Sequence, residues 1–252
     1  MRRIRDWLTT LPTLAAFGLA LAGFHLVGLA ALPFGKRSFE KVMAALQRTL
    51  ISTFRISGVR VDTQGRDGFA STGGYIFVSN HQSMYDVPIF GGLLRRNYPK
   101  YVAKSELAKG IPSVSLNLRH GGNALIDRGD RDQAMDAIRD MAAEAERRDV
   151  SVVIFPEGTR SRVGELGDFR AGGLTAIMEA APNLEIIPTA IDGSWRVFQR
   201  NMFPVPYGAA VHVRFGEPIA RDSGESPTEV LERCRVWIEE TIDELRAADD
   251  PA

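Results

Sequence analysis

Between Trp7 and Gly35 the chain carries no Asp, Glu, Lys or Arg, and Leu, Ala, Gly and Phe dominate. Such a run exceeds the ~20 residues a helix needs to cross a hydrocarbon core. Arg2, Arg3 and Arg5 precede it, and Lys36 and Arg37 follow it. One reading is a single membrane-spanning helix with basic ends at the interfaces. Another is a bent or re-entrant hairpin, because Pro12 and several glycines interrupt the run and both flanks are basic. A cleaved signal peptide has an apolar core of only about 7–15 residues, too short to account for this one. Membrane insertion without cleavage is therefore expected, with span and hairpin both open. His25 inside the run reads as a packing or interfacial residue.

Just beyond, Phe39, Val42, Met43, Leu46, Leu50, Ile51 and Phe54 recur at helical spacing between Ser38 and Ser57, among Lys41, Arg48 and Arg55. A basic amphipathic helix of this kind lies on a membrane surface or packs on its own domain, and the two are compatible. Residues 1–57 are accordingly read as a membrane-inserting and amphipathic segment, and 58–252 as a separate globular domain. Within the latter, strands are expected at 59–62, 75–79, 101–103, 123–127, 150–155, 185–190 and 209–215, the last at a sheet edge. Helices are expected at 86–94, 130–148, 171–181 and 227–247. This alternation predicts an α/β fold with a mainly parallel sheet covered by helices.

Charge adds little globally, since 31 basic residues balance 31 acidic ones, which gives no argument for nucleic acid as a partner. Basic residues crowd the first part of the chain. Acidic ones crowd the end, from Glu225 to Asp250, where a solvated helix face explains them. The single cysteine, Cys234, permits no intrachain disulfide.

The chemistry is concentrated where strands end. After Tyr75–Ser79 comes Asn80-His81-Gln82-Ser83-Met84-Tyr85-Asp86. A His beside a carboxylate is what general-base chemistry requires, because the carboxylate fixes the tautomer and stabilises the imidazolium. In isolation the same spacing also describes an Asp capping a helix beside a bystander His. Lys104-Ser105-Glu106-Leu107 follows the next strand, Asp127-Arg128 the one after, and Phe155-Pro156-Glu157-Gly158-Thr159-Arg160-Ser161-Arg162 the fifth. Basic side chains and a Gly-containing turn at adjacent strand ends make a phosphate site.

From Tyr75 to Pro188 the chain resembles the glycerolipid acyltransferase family, and within it the lysophosphatidate (1-acyl-sn-glycerol-3-phosphate) acyltransferases. The Asn80–Asp86 stretch matches the family's Asn-His-x4-Asp block, and Phe155–Arg162 matches its third block in full. Gly122–Arg128 is a softer version of the second, and Ile187–Ala190 resembles the short fourth. Lys104–Leu107 and Phe169–Gly173 resemble segments that flank these blocks. The resemblance implies that His81 is the general base on a lysophospholipid hydroxyl and that Asp86 orients it. It further implies that Lys104, Arg128 and Arg160 bind the acceptor phosphate, that Glu157 and Gly158 shape the glycerol pocket, Glu157 as a hydroxyl acceptor, and that Thr159 belongs to the same substrate-binding set. The acyl donor is then acyl-CoA or acyl-carrier protein, with no metal and no further cofactor. Arg162 and Arg170 stay open between site and surface, and His120 and His212 read as structural.

The implied reaction acylates lysophosphatidic acid to phosphatidic acid in phospholipid biosynthesis, at the cytoplasmic face of the inner or plasma membrane. Membrane lipids, the lysophospholipid acceptor and the acyl thioester are the expected partners. Acylation of another lysolipid, such as a lyso-ornithine lipid, is the alternative within the class. A non-catalytic membrane lipid-binding protein is the alternative outside it, and the intact His81/Asp86 pair speaks against that. A lipid serine hydrolase would carry Gly-x-Ser-x-Gly, and this chain has no such pattern.

Overall fold

The computed structural model describes residues 2–219 and 225–249. The side chains of Arg2 and Arg3, and Asp250, each part of a charged run noted above, lie outside the described residues. Two helices come first, α1 (Arg2–Ala31) and α2 (Lys36–Thr53). Strand β1 (Arg60–Gln64) then leads to β2 (Ile76–Ser79), α3 (Asp86–Leu93), β3 (Lys100–Lys104) and α4 (Val114–His120). The chain continues through β4 (Ala124–Ile126), α5 (Arg131–Arg147), β5 (Val152–Ile154), α6 (Ala171–Ala180) and β6 (Ile186–Asp192). It closes with α7 (Ser194–Val197), β7 (Ala210–Phe215) and α8 (Pro227–Asp249).

The seven strands form one sheet in the order β1-β7-β6-β2-β5-β3-β4. Every neighbouring pair is parallel except β6 and β7. The side-chain period of two sends Ile76 and Val78 into the layer of α5, α6 and α8, and Phe77 into the opposite layer with Tyr85, Ile89 and Phe90 of the α3 region. Both faces are covered, so β2 is buried at every residue, as its unbroken apolar sequence requires. The parallel run β6-β2-β5-β3-β4 puts five strand ends, and the polar clusters that follow them, along one edge of the sheet.

The structure decides two readings the sequence left open and corrects one expectation. The run from Trp7 is one unbroken helix that continues through Pro12, and the break falls at Leu32-Pro33-Phe34-Gly35, where Gly35 has φ 89°. The hairpin therefore forms between α1 and α2. Second, the apolar face of α2 is spent inside the protein. Phe39, Met43, Leu46 and Leu50 are buried against Phe17, Leu21 and Phe24 of α1 and Leu116 of α4. Third, β7 is not at an edge, because β1 pairs with its outer side. Its alternation arises because Val211, Val213 and Phe215 enter the core, while His212 and Arg214 meet Asp249 and Glu244 of α8. The short helix α4 was not anticipated.

Helix α2 approaches α3 closely because Gly91 and Gly92 are there. A Cβ on Gly91 would fall 1.0 Å from Oε1 of Gln47, and one on Gly92 3.2 Å from Cα of Arg48. The same helix is tied to the sheet by a buried ion cluster. The Glu40 carboxylate accepts from Lys100 Nζ at 2.5 Å and from both terminal nitrogens of Arg148 at 2.7 and 2.8 Å. Burial raises the proton affinity of Glu40, but Arg148 and Lys100 outweigh it and hold the carboxyl below its usual range. Lys100 is pulled down to about 8, chiefly by burial, although Glu40 opposes this. For Glu40 the linked stability is present above the ordinary carboxylate range and is lost as pH falls through the lower folded value. For Lys100 the unfolded chain holds its proton more tightly, so this group favours folding increasingly as pH rises from about 8 toward 10.5. Removing the carboxylate strands two cations, and breaking a buried pair in this way costs about 3–5 kcal/mol. Glu40→Ala should therefore lower the melting temperature by roughly 6–20 °C at pH 7. A melt within 2 °C of wild type, read by calorimetry in detergent, is the contrary result.

Candidate active site

The loop from β2 to α3 is held in place before any substrate arrives. The Asn80 side chain bridges to the neighbouring strand, donating to the Ile191 carbonyl at 2.8 Å and accepting from the Ile191 N–H at 2.9 Å. This strap pins the end of β2 to β6. Asp86, the first residue of α3, is fully buried, and its ionised form also gains from the positive end of the helix dipole. Its Oδ2 lies 2.7 Å from Nδ1 of His81 and accepts the backbone N–H groups of Gln82 and Ser83 at 2.7 and 2.9 Å. Its Oδ1 accepts the hydroxyls of Ser83 at 3.1 Å and Ser194 at 2.5 Å.

A carboxylate that already accepts four other donors takes the fifth hydrogen from His81, so Nδ1 carries the proton and Nε2 presents its lone pair. Among the described residues nothing hydrogen-bonds Nε2, and the His81 side chain is 16% exposed. The ring lies flat on Phe155, with centroids 4.1 Å apart and planes 17° from parallel. Phe90 meets the edge of Phe155 at 5.8 Å and 65°. The imidazole is thereby fixed by a carboxylate in its plane and an aromatic face beneath it.

Glu157 takes a different part from the one expected of it. Its Oε1 accepts the backbone N–H of His81 at 2.6 Å, and its Oε2 accepts that of Gly167 at 3.1 Å. The carboxylate is thus a brace between the loops after β2 and β5, rather than an open acceptor for a substrate hydroxyl. Ser161 N–H completes the join by donating to the His81 carbonyl at 2.8 Å. Burial pushes the Glu157 carboxyl above its usual range, and the two backbone donors and His81 oppose that only in part.

The basic residues gather on the same edge. Arg128, after β4, donates to the Gly158 carbonyl after β5. Gly158 has φ 65°, with open space where a Cβ would sit, so the left-handed backbone rather than crowding calls for glycine there. Lys104 ends β3 and is half-buried, as is Arg160, while Thr159 is exposed. Within the described residues neither Lys104 nor Arg160 is engaged in a hydrogen bond or ion pair, which leaves both cations free to meet an anion. Arg162 and Arg170 are exposed. His25 accepts the Ser113 N–H at Nδ1, His120 packs edge-on against Phe39, and His212 pairs with Asp249. Sequence reasoning quoted Asn80 and Phe155 without a role and passed over Ser194. The signal for Ser194 was available, because Gly193-Ser194 follows β6 just as other polar pairs follow its neighbours.

Residues 60–192 match the family model described as Acyltransferase, and the chain belongs to that family. It is 27% identical over 190 residues to the 1-acyl-sn-glycerol-3-phosphate acyltransferase of Escherichia coli (strain K12), spanning 75% of each chain. It is 29% identical over 189 residues to the 1-acyl-sn-glycerol-3-phosphate acyltransferase alpha of Mus musculus, spanning 75% of this chain and 64% of that one. Among solved structures, the 1-acyl-sn-glycerophosphate (LPA) acyltransferase PlsC of Thermotoga maritima shares the fold, with a TM-score of 0.76 over 98% of both chains at 23% identity.

The brace reading of Glu157 separates cleanly from a substrate-binding one. Glu157→Gln turns an amide N–H toward one of two backbone donors and leaves a buried mismatch worth about 1–3 kcal/mol. The expected outcome is a lower melting temperature and a 10- to 100-fold lower kcat with acceptor KM little changed, since the His81 backbone shifts. A higher acceptor KM with unchanged melting and kcat would instead assign Glu157 to the substrate.

Proposed function

We propose that this acyltransferase moves a fatty acyl group from an acyl thioester to the free hydroxyl of lysophosphatidate, giving phosphatidic acid. The observation that carries the reading is His81, held at Nδ1 by a buried carboxylate, with Nε2 open beside free cations at adjacent strand ends. His81 Nε2 takes the proton of the acceptor hydroxyl as its oxygen attacks the thioester carbonyl. The tetrahedral oxyanion then collapses, the C–S bond breaks, and the thiolate leaves with the proton returned by the imidazolium. Asp86 stays ionised throughout and stabilises that imidazolium. Lys104, Arg128 and Arg160 hold the acceptor phosphate, with Thr159 and the Gly158 backbone closing around it. The donor is acyl-CoA or acyl-carrier protein, and the mechanism calls on no further cofactor.

The test is an acceptor panel with purified enzyme and acyl thioester, products read by mass. Lysophosphatidate should be acylated faster than lysolipids without a phosphomonoester. His81→Ala should lose at least about 10³-fold in kcat while melting like wild type. Arg160→Ala should chiefly raise the KM for lysophosphatidate. A wild type that prefers a phosphate-free acceptor, or a His81→Ala variant with a large share of wild-type turnover, contradicts the reading.

We further propose that the enzyme is monotopic, seated on the cytoplasmic face of the plasma membrane through α1. The helix is long and apolar enough to cross a bilayer, with mean hydropathy 2.0 over an 18-residue window within Ile4–Phe34. Its inner side, however, is bonded to the globular part along most of its length. Asp6 and Thr10 accept the N–H groups of Tyr207 and Val205, each at 2.9 Å. Thr13 bonds Ser57 at 2.7 Å, and the Leu21 carbonyl and His25 bind Ser113 at 2.6 and 3.0 Å. The outer ridge of Leu8, Leu11, Leu19 and Leu26 is 63–74% exposed. A helix docked in this way lies in the membrane plane with its ridge in the acyl region. In sealed vesicles that carry the globular part outside, an Ile4→Cys chain should react with an impermeant maleimide from outside, since native Cys234 is buried. Labelling only after the vesicles are opened would show that α1 spans.

A further inference from the structure

The loop that carries His81 and Asp86 is bracketed on its far side by residues that follow β6. Strand β6 ends at Asp192, and Gly193 turns the chain with φ 86°. No other residue fits that turn, because a Cβ there would meet the Ala210 carbonyl oxygen at 2.3 Å. The turn delivers Ser194, fully buried, onto Oδ1 of Asp86 at 2.5 Å. Two residues earlier, Asp192 accepts from Gln82 Nε2 at 2.9 Å and from Arg246 of α8 at 2.9 Å.

We propose that Ser194 is the positioning residue that sets the Asp86 carboxylate relative to the sheet, and through it the tautomer and direction of the His81 ring. The other donors to Asp86 are His81, Gln82 and Ser83, all from its own loop. They fix the carboxylate within that loop, which Asn80, Gln82 and Glu157 tie to the neighbouring strand ends. Ser194 is the donor that comes from a different element, 108 residues away in sequence. Its hydrogen bond adds to that of Ser83 on Oδ1 in opposing rotation about the Cβ–Cγ bond of Asp86, and ties the carboxylate to the turn after β6. The role is indirect, since Ser194 acts through Asp86 and is placed against no substrate atom.

The turnover arm of the test rests on the acyl-transfer reading, and a spectroscopic arm does not. Ser194→Ala removes the hydroxyl, whereas Ser194→Cys keeps the side chain's size and offers only a weak donor. Both variants should lower kcat by roughly 10- to 100-fold with KM for acceptor and donor unchanged. In histidine-¹⁵N-labelled protein, the His81 ring shifts should move in both from the Nδ1–H form toward a mixture of tautomers. Wild-type kcat in Ser194→Cys would reduce Ser194 to packing and overturn the proposal. So would unchanged His81 ring shifts in Ser194→Ala. A wild type that does not acylate lysophosphatidate would count against the function proposed above, and the ring shifts would still decide the role of Ser194.

Discussion

One buried carboxylate organises the catalytic edge of this protein. Asp86 has no contact with solvent, and an isolated ionised carboxylate in such a place costs far more than a fold can offset. It is tolerated because five donors converge on its two oxygens. The same requirement shapes its surroundings. The loop after β2 must curl so that two backbone N–H groups point inward. Helix α3 must begin at Asp86, and the chain after β6 must turn on a left-handed glycine. The geometry at His81 is what remains once that charge has been satisfied.

A second buried charge does comparable work at the other end of β3. Glu40 joins α2 to the sheet through Lys100 and to the C-terminal cap of α5 through Arg148. Both charges join elements remote in sequence, and both are surrounded by close approaches that only glycine permits, Gly193 near one and Gly91 near the other. Apolar packing supplies most of the cohesion between such layers without fixing how they slide. The ion clusters fix their register. Registry rather than stability is the best-attested use of a buried ion pair, and α2 in turn carries α1.

Much of the fold was legible because its signals are local. Strands β2, β5 and β6 are apolar runs, and α5 has a plain helical period. What failed has physical reasons. The run containing Pro12 allowed a broken reading as well as a single helix, and the helix continues and stops at Pro33-Gly35, where a proline and a left-handed glycine coincide. The alternation of β7 resembled an edge because α8 covers its second face with polar contacts, so burial on that side does not show in hydrophobicity. In the site, His81 and Asp86 were visible because five residues of sequence hold both. The Glu157 brace, the Phe155 stack and the Ser194 bond were hidden, because each depends on which strand ends become neighbours. The contacts of Glu157 were hidden for that reason: its chemistry allows a substrate hydroxyl, and only the parallel pairing of β2 with β5 brings the His81 N–H to it.

The docking of α1 changes the dimension in which the enzyme searches. With the helix lying in a lipid surface as proposed, the acceptor reaches His81 by lateral diffusion, and the donor arrives from bulk solution. The two substrates are then counted in different units, one as a mole fraction of the surface and the other as a molarity. Diluting the acceptor with inert lipid slows such an enzyme at constant total acceptor, whereas adding more vesicles of the same composition does not. Surface density, rather than the amount of lysolipid present, becomes the variable to which the rate responds.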